Sequence, residues 1–309
     1  MDVSFIIPTL NEEKGINDLL ISIKEQYLPE ITAKIEIIVV DNGSDDRTVE
    51  IAKKHADGVY VLPDLSIAAL RNYGAARSTG EIIIFADADN VLSANTLKVV
   101  FEAFKIDEIG ILGANGLIPY QKASWVQKAW YIHTKKMNRN ENLFEVKSTG
   151  SGFMVLKRRL FERVKGFNEL LGVGEDTDLC DRVRTEGYKV YKSKHLIIYN
   201  RGHPKDLIHF IKREFWHGDS FKQIIIHKRG DINSVYLFFN SLMLVFLFLS
   251  LLLPFANSGY LLLPLFYTLV PSSYRAFKKR KRFDGMFLQL FCLYLIYIYT
   301  RTIALYKEL

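Results

Sequence analysis

The chain is poor in cysteine: its 309 residues include two, Cys180 and Cys292. Two thiols cannot build a disulfide framework or a thiolate-based zinc site. The phosphate loop GxxxxGK[ST] and the dinucleotide fingerprint GxGxxG are both missing, so any nucleotide chemistry must use another scheme. Charge is absent over a long stretch, since residues 235–274 contain no Asp, Glu, Lys, Arg or His. A soluble helix needs a polar face, which this run cannot supply. The apolar run at 3–7 follows Asp2 and is too short for a secretory leader.

What is present can bury a core. Apolar residues make up 49% of the chain and charged residues 24%, a balance that excludes a disordered or fibrous protein. Net charge is +7, but from residue 235 onward there are eight Lys/Arg against two Asp/Glu, and the remainder is 33 against 32. A front this close to neutral exerts no general pull on nucleic acid.

A bilayer core of ~30 Å takes about 20 helical residues, so the uncharged run suffices for two crossings. Turn residues at 254–259 divide it, and the pattern predicts a helical hairpin with spans near 235–253 and 260–274. The basic block at 278–282 marks the cytoplasmic side. A hairpin returns to the side it left, so the expectation is a multi-pass protein of the cell membrane with a cytoplasmic front. A third apolar stretch, 286–306, either crosses or lies in the interface with Arg301 reaching toward headgroups. Residues 201–234 carry an apolar face at helical spacing among seven Lys/Arg and four histidines, and read as an amphipathic segment on the membrane. The expected organisation is a catalytic domain at 1–200, this membrane-proximal segment, and a transmembrane region at 235–309.

The front alternates short β-branched runs (3–7, 35–40, 59–62, 82–86) with helical patterns at 12–24, 46–56 and 66–79. That alternation predicts an α/β fold, a mostly parallel sheet with helices on both faces. Such sheets bind ligands beyond the carboxyl ends of their strands. There the sequence places Pro8-Thr9-Leu10-Asn11-Glu12, Asp41-Asn42-Gly43-Ser44-Asp45-Asp46 and Asp87-Ala88-Asp89-Asn90. Asn11 reads as the N-cap of the first helix. Asp87 and Asp89, one residue apart, would face the same way in an extended segment and suit a hard cation, Mg²⁺ or Mn²⁺, shared with a diphosphate. Further on, Glu175-Asp176-Thr177-Asp178 opens a helix. Dipole compensation accounts for some of these acids, and a general base for another.

These residues resemble the family 2 glycosyltransferases, which have the glycosyltransferase-A fold. The matching stretches are SFIIPTLNEE (4–13), EIIVVDNGSDDRT (36–48), LRNYGAARSTGEIIIFADAD (70–89), GSGFMVLKRRLFERVKGFNE (150–169) and GEDTDLCDRV (174–183). The resemblance implies an inverting transfer of sugar from a nucleotide-diphosphate donor, a UDP-sugar favoured over a GDP-sugar. It implies that Thr9 and Glu12 line the nucleoside pocket, that Asp41 meets the base edge, and that Arg71 reaches the nucleotide. Asp87 then contacts ribose or donor, Asp89 binds the metal, and Gly150 and Ser151 approach the donor sugar. Asp176 is the implied base, with Glu175 the second candidate. In the following segment His203 or Arg213 could touch the metal or the diphosphate.

A polyprenyl-phosphate acceptor is already ionised and needs no strong base. The Glu175-Asp176 pair therefore favours a hydroxyl on a membrane lipid or lipid-linked glycan, with polyprenyl phosphate the alternative. The Gln-x-x-Arg-Trp motif of processive synthases is missing from 211–216, where Arg213 and Trp216 stand apart. A non-catalytic membrane scaffold would have lost the acids at the rim, and they are present.

Overall fold

The structure is a computed structural model that describes residues 1–26, 33–118, 120–134, 141–227 and 262–304. It forms two compact units, Met1–Pro119 with Asn138–Gly202, and Tyr120–Met137 with His203–Leu309.

The first unit is built on a nine-stranded sheet: β1 (Val3–Thr9), β2 (Ile35–Asp41), β3 (Gly58–Val61), β4 (Ile82–Ala86), β5 (Asn90–Leu92), β6 (Ile109–Leu117), β7 (Leu143–Glu145), β8 (Phe153–Lys157) and β9 (Lys189–Asn200). Its order is β3-β2-β1-β4-β8-β6-β9-β5, with β7 paired to β9. The expected strands are all present, but the sheet is mixed rather than mostly parallel. Strands β1 to β4 run parallel, as do β6 and β9. Strand β8 runs antiparallel to both β4 and β6, and β5 and β7 run antiparallel to β9. The sequence conceals this because β8 is buried along nearly its whole length, like its parallel neighbours. Burial on two faces dictates composition, and strand direction leaves no mark on it.

Alternate residues of β1 face opposite sides. Val3, Phe5 and Ile7 meet Ile16, Leu19, Leu20 and Ile23 of α1 (Ile16–Lys24), together with Leu97, Val100 and Phe101 of α4 (Thr96–Ala103). On the other face Ile6 lies with Ala68, Leu70 and Ala75 of α3 (Ile67–Arg77) and Leu179 and Val183 of α7 (Glu175–Thr185). Short helices α2 (Thr48–Ala52) and α6 (Arg158–Arg163) complete the layers. A Cβ on Gly74 would stand 2.5 Å from Ile6 Cγ2, so the bare glycine lets α3 lie close to the sheet. Asn11 is not a helix cap. It sits at φ 55° and its side-chain oxygen accepts from the Asp45 amide at 3.0 Å, while α1 begins later, at Ile16. The loop after β2, rather than α1, supplies the donor for that side chain.

The second unit is helical: α5 (Trp125–Thr134), α8 (Leu207–His227), α9 (Leu262–Arg280) and α10 (Gly285–Ala304). Trp130 packs edge-on against Phe210 at 4.8 Å and near Tyr294 at 6.0 Å. The inward face of α8 is Phe210, Glu214 and Gly218, where buried Glu214 pairs with Arg301 at 2.8 Å. Its outward residues Ile208 and Trp216 are 68% and 56% exposed. The amphipathic helix expected at 201–234 thus spans 207–227, with one face taken by α5 and α10.

The expected span 235–253 lies outside the described residues. The expected span at 260–274 is instead part of α9, which runs on into Lys278, Lys279 and Arg280. Among the described residues one helix is long and apolar enough to cross a membrane, Gly285–Ala304, with mean hydropathy 1.4 and 39% of its apolar window buried. It falls on the third apolar stretch. The described residues therefore do not support the multi-pass expectation.

Candidate active site

Because β1, β2 and β4 are parallel, their carboxyl ends share one edge, which carries Thr9, Asp41 and Asp87. Strand β8 is reversed, so its start reaches that edge: Phe153 is opposite Ala86, and the preceding loop at 150–152 lies beside Asp87. The Gly152 carbonyl accepts from the Asp87 amide at 2.9 Å and from Asn90 Nδ2 at 2.6 Å. A Cβ at Gly152 would come within 2.7 Å of Asp87 Oδ2. The glycine-containing loop is thus close-fitted to the acid.

Arg71 lies one turn before Gly74 on the inward face of α3 and is 2% exposed. Its guanidinium forks, donating from Nη2 to Asp87 at 2.9 Å and from Nη1 to Glu175 at 2.9 Å. A planar fork suits two carboxylates held at once. Glu175 also accepts from Ser151 Oγ at 3.1 Å. Arg71 therefore ties the strand-end acid to the first turn of α7. The expected role of this arginine was contact with the nucleotide, and the sequence held no signal for the ion-pair bridge.

The adjacent acids of α7 are in different settings. Glu175 is 8% exposed and committed to Arg71 and Ser151. Asp176 is half-buried and, among the described residues, bonds only locally, accepting from the Thr177 amide and hydroxyl. Burial pushes its carboxyl above the usual aspartate value, and the Glu175 charge adds to the rise. The nearby loop gives it room, since a Cβ at Gly150 would be 3.7 Å from Asp176 Oδ2. A raised carboxyl with a free edge has the properties of a general base.

The loops after β1 and β2 are laced by hydrogen bonds. Buried Asp41 accepts from Thr9 Oγ1 (2.8 Å), the amides of Gly43 (3.0 Å) and Ser44 (2.7 Å), and Ser44 Oγ (2.5 Å). Four donors occupy the acceptor capacity of one carboxylate, so Asp41 and Thr9 shape the loop after β2. The Glu12 amide donates to Thr48 Oγ1 at 2.7 Å. Its carboxyl is raised by burial first, then by the charges of Asp87 and Asp46. A cation nearby would relieve the charges that raise Glu12.

Asp87 and Asp89 do not project from an extended segment. Strand β4 stops at Ala86, and a turn closed by the Asn90 amide on the Asp87 carbonyl (3.1 Å) separates them. Asp87 faces Arg71, whereas Asp89 accepts from Asn200 Nδ2 at 3.1 Å. Among the described residues no three His, Cys, Asp or Glu side chains gather as a metal cage. His203 begins the second unit. Burial, then Arg213, lowers it to about 4, and its Nδ1 is buried without a partner among the described residues. A neutral imidazole with a spare nitrogen has the donor chemistry of a metal ligand. Arg213 is on α8, 3.9 Å from Glu214.

Comparison with known proteins adds three likenesses. TarS of Staphylococcus aureus, a poly(ribitol-phosphate) beta-N-acetylglucosaminyltransferase, is 32% identical over 108 residues, 32% of this chain and 18% of the relative. The 4,4'-diaponeurosporenoate glycosyltransferase of Staphylococcus haemolyticus is 30% identical over 195 residues, 60% of this chain and 47% of the relative. The chain thus spans less than two thirds of the length of either curated relative. Among solved structures, the mannosyltransferase PcManGT of Pyrobaculum calidifontis, in complex with GDP-Man and Mn²⁺, superposes with a TM-score of 0.61 at 18% identity, over 99% of this chain and 87% of that one. It shares the fold, a mixed α/β sheet of the glycosyltransferase-A kind. The model of Glycosyl transferase family 2 matches residues 4–165, more than half of the chain, and with the acids of that stretch set along one sheet edge, the chain belongs to that family.

Proposed function

We propose that the protein is an inverting glycosyltransferase that moves a sugar from a nucleotide-diphosphate donor to a hydroxyl of a membrane-associated acceptor. The donor is a UDP-sugar by preference, with a GDP-sugar the alternative. The observation that carries this reading is the divided fate of the α7 acids: Glu175 is locked by Arg71, and Asp176 is left with a raised carboxyl. In the reaction the acceptor oxygen attacks the anomeric carbon as the bond to the diphosphate oxygen breaks, and Asp176 takes the hydroxyl proton. One displacement inverts the centre. Arg71 acts through the carboxylates it holds, and the 150–152 loop confines the donor sugar beside Asp87.

Asp89, with Asp87, would hold a divalent cation, Mn²⁺ or Mg²⁺. When bound, such an ion neutralises charge on the departing nucleotide diphosphate. Asp89→Ala is expected to abolish the gain in UDP or GDP affinity that Mn²⁺ provides, read by calorimetry in Mn²⁺ and in EDTA. An unchanged gain removes Asp89 from the metal site.

The C-terminal region seats the protein on a membrane. The end of α9 and the turn into α10 expose Tyr274, Phe277 and Phe283 beside Lys278, Lys281 and Arg282, the aromatic and basic mixture that suits an anionic interface. Full-length protein is expected to stay with the membrane fraction after a high-salt and an alkaline carbonate wash. Release by salt alone would reduce the attachment to surface charge.

A further inference from the structure

The first unit has a second concavity, beyond the edge that carries the acids. Strands β7 and β5 both pair with the side of β9 that β6 leaves free, β7 at Tyr191–Ser193 and β5 at Ile198–Asn200. Between them, residues 194–197 have no strand beside them among the described residues. Backbone bonds close the corners of this gap: the Lys194 amide donates to the Asn142 carbonyl at 2.8 Å, and the Ser93 amide to the Ile197 carbonyl at 3.3 Å. Helix α4 flanks the gap, and the space left is a groove of ≈ 640 Å³, within the ~300–1,000 Å³ of small-molecule sites. Val99, Ile106, Leu143 and Ile197 give it an apolar floor. The lining positions Asn95, Val99 and Glu102 recur at helical spacing, so the groove follows α4 for about two turns, or roughly 11 Å at 1.5 Å per residue. Its polar groups are unevenly matched. Glu102 is held by Lys105 at 2.7 Å. Lys98 is exposed and forms no ion pair, and the side chains of Asn142 and His195 have no hydrogen-bond partner, among the described residues.

We propose that this groove binds a single-chain lipid with a phosphate head, the chain lying along α4 on the apolar floor and the phosphate meeting Lys98 with the side-chain donors of Asn142 and His195. An elongated apolar trough suits an extended chain better than a compact ring. The one acid at the rim already has a cation, whereas the Lys98 ammonium has no counter-charge, so the net complement is an anion. A phosphate monoester supplies both the charge and enough acceptor oxygens for several N–H donors. Along β9, Ile197 is three residues from Asn200, about 10 Å at ~3.3 Å per residue, so the groove adjoins the acid-bearing edge without sharing its residues. Lipid binding there needs no catalysis and stands or falls apart from the reading of Asp176 as a base.

The test uses full-length protein held in a nonionic amphipol, with decyl phosphate carrying a diazirine at the end of its chain as the probe. After illumination, the adducts are mapped by mass spectrometry of the peptides. Labelling is expected in the peptides that hold residues 95–106 and 193–197. Unlabelled decyl phosphate should compete for it about tenfold better than decanol, the difference that a charge-assisted hydrogen bond makes, and inorganic phosphate should not compete. Lys98→Glu, which reverses the charge at the head, and Ile106→Asp, which places a charge on the floor, are each expected to lower labelling of these peptides about tenfold. Both positions are exposed, so the melting temperature should hold and separates loss of the site from loss of the fold. Adducts confined to other peptides overturn the proposal, as does wild-type labelling in both variants. Equal competition by decanol removes the phosphate head and overturns it too, and competition by inorganic phosphate removes the chain with the same result.

Discussion

Asp176→Asn is expected to lower sugar transfer by a hundredfold to ten-thousandfold, the range a positioned base contributes, without lowering the melting temperature. Loss of activity follows because an amide cannot accept the acceptor proton. The stability expectation follows from the sign of the pKa shift. Burial, with the Glu175 charge second, raises the Asp176 carboxyl in the folded protein, so the native state holds this proton to higher pH than the unfolded chain. Its contribution is most favourable below the unfolded value and is lost as pH rises through the folded value. At neutral pH the ionised side chain is therefore a cost that asparagine removes, and melting should be unchanged or higher. In the wild type, transfer should fall as pH drops through the raised value. Nucleotide release in the presence of acceptor, followed against pH, measures this. Wild-type turnover in the variant would transfer the base role elsewhere.

Arg71→Met should have the largest effect on stability. It removes the guanidinium between Asp87 and Glu175, which lie 2.9 Å from it on either side. Breaking a buried ion pair by deleting one partner costs about 3–5 kcal/mol, because the other charge is left uncompensated. The Asp87 side chain is 38% exposed and water screens it; that of Glu175 is 10% exposed and carries most of the cost. A loss of about 3 kcal/mol is expected, or roughly 6–12 °C of melting temperature for a unit of this size. Arg71→Lys should recover part of it, since an ammonium is a point charge and cannot fork to two acids. Arg71 also lowers the Asp176 carboxyl, so any Arg71→Met protein that folds should show its activity limb moved to higher pH. Melting within about 1 °C of wild type would show that the bridge is not structural.

The strand ends are legible because a buried strand is an apolar run and the residue that ends the run is polar: Thr9, Asp41 and Asp87 each follow from the sequence alone. The acids of α7 were legible for the same reason, as an anomaly in a first turn. Which of Glu175 and Asp176 is free was not legible. Both are carboxylates at adjacent positions, and what separates them is Arg71, an arginine 104 residues upstream of Glu175 whose burial no local pattern reveals. Asn200 was invisible for a similar reason. It is an ordinary residue at the end of a strand of mixed polarity, and its contact with Asp89 depends on β5 being opposite. The reversal of β8 and the bend between Asp87 and Asp89 were misread, since alternation and spacing describe a segment and not its direction or its turns.

The reversed strand has a consequence for how the molecule can change. The chain leaves β6 at the edge where the acids stand and re-enters at the same edge through the 150–152 loop into β8. What lies between, in the described residues 120–134 and 141–149, is an excursion whose two ends are already anchored side by side. Lengthening such an excursion costs little, because closure entropy grows only with the logarithm of its length. The loops of that excursion can therefore change in length or sequence while the paired strands and the arginine bridge keep their places.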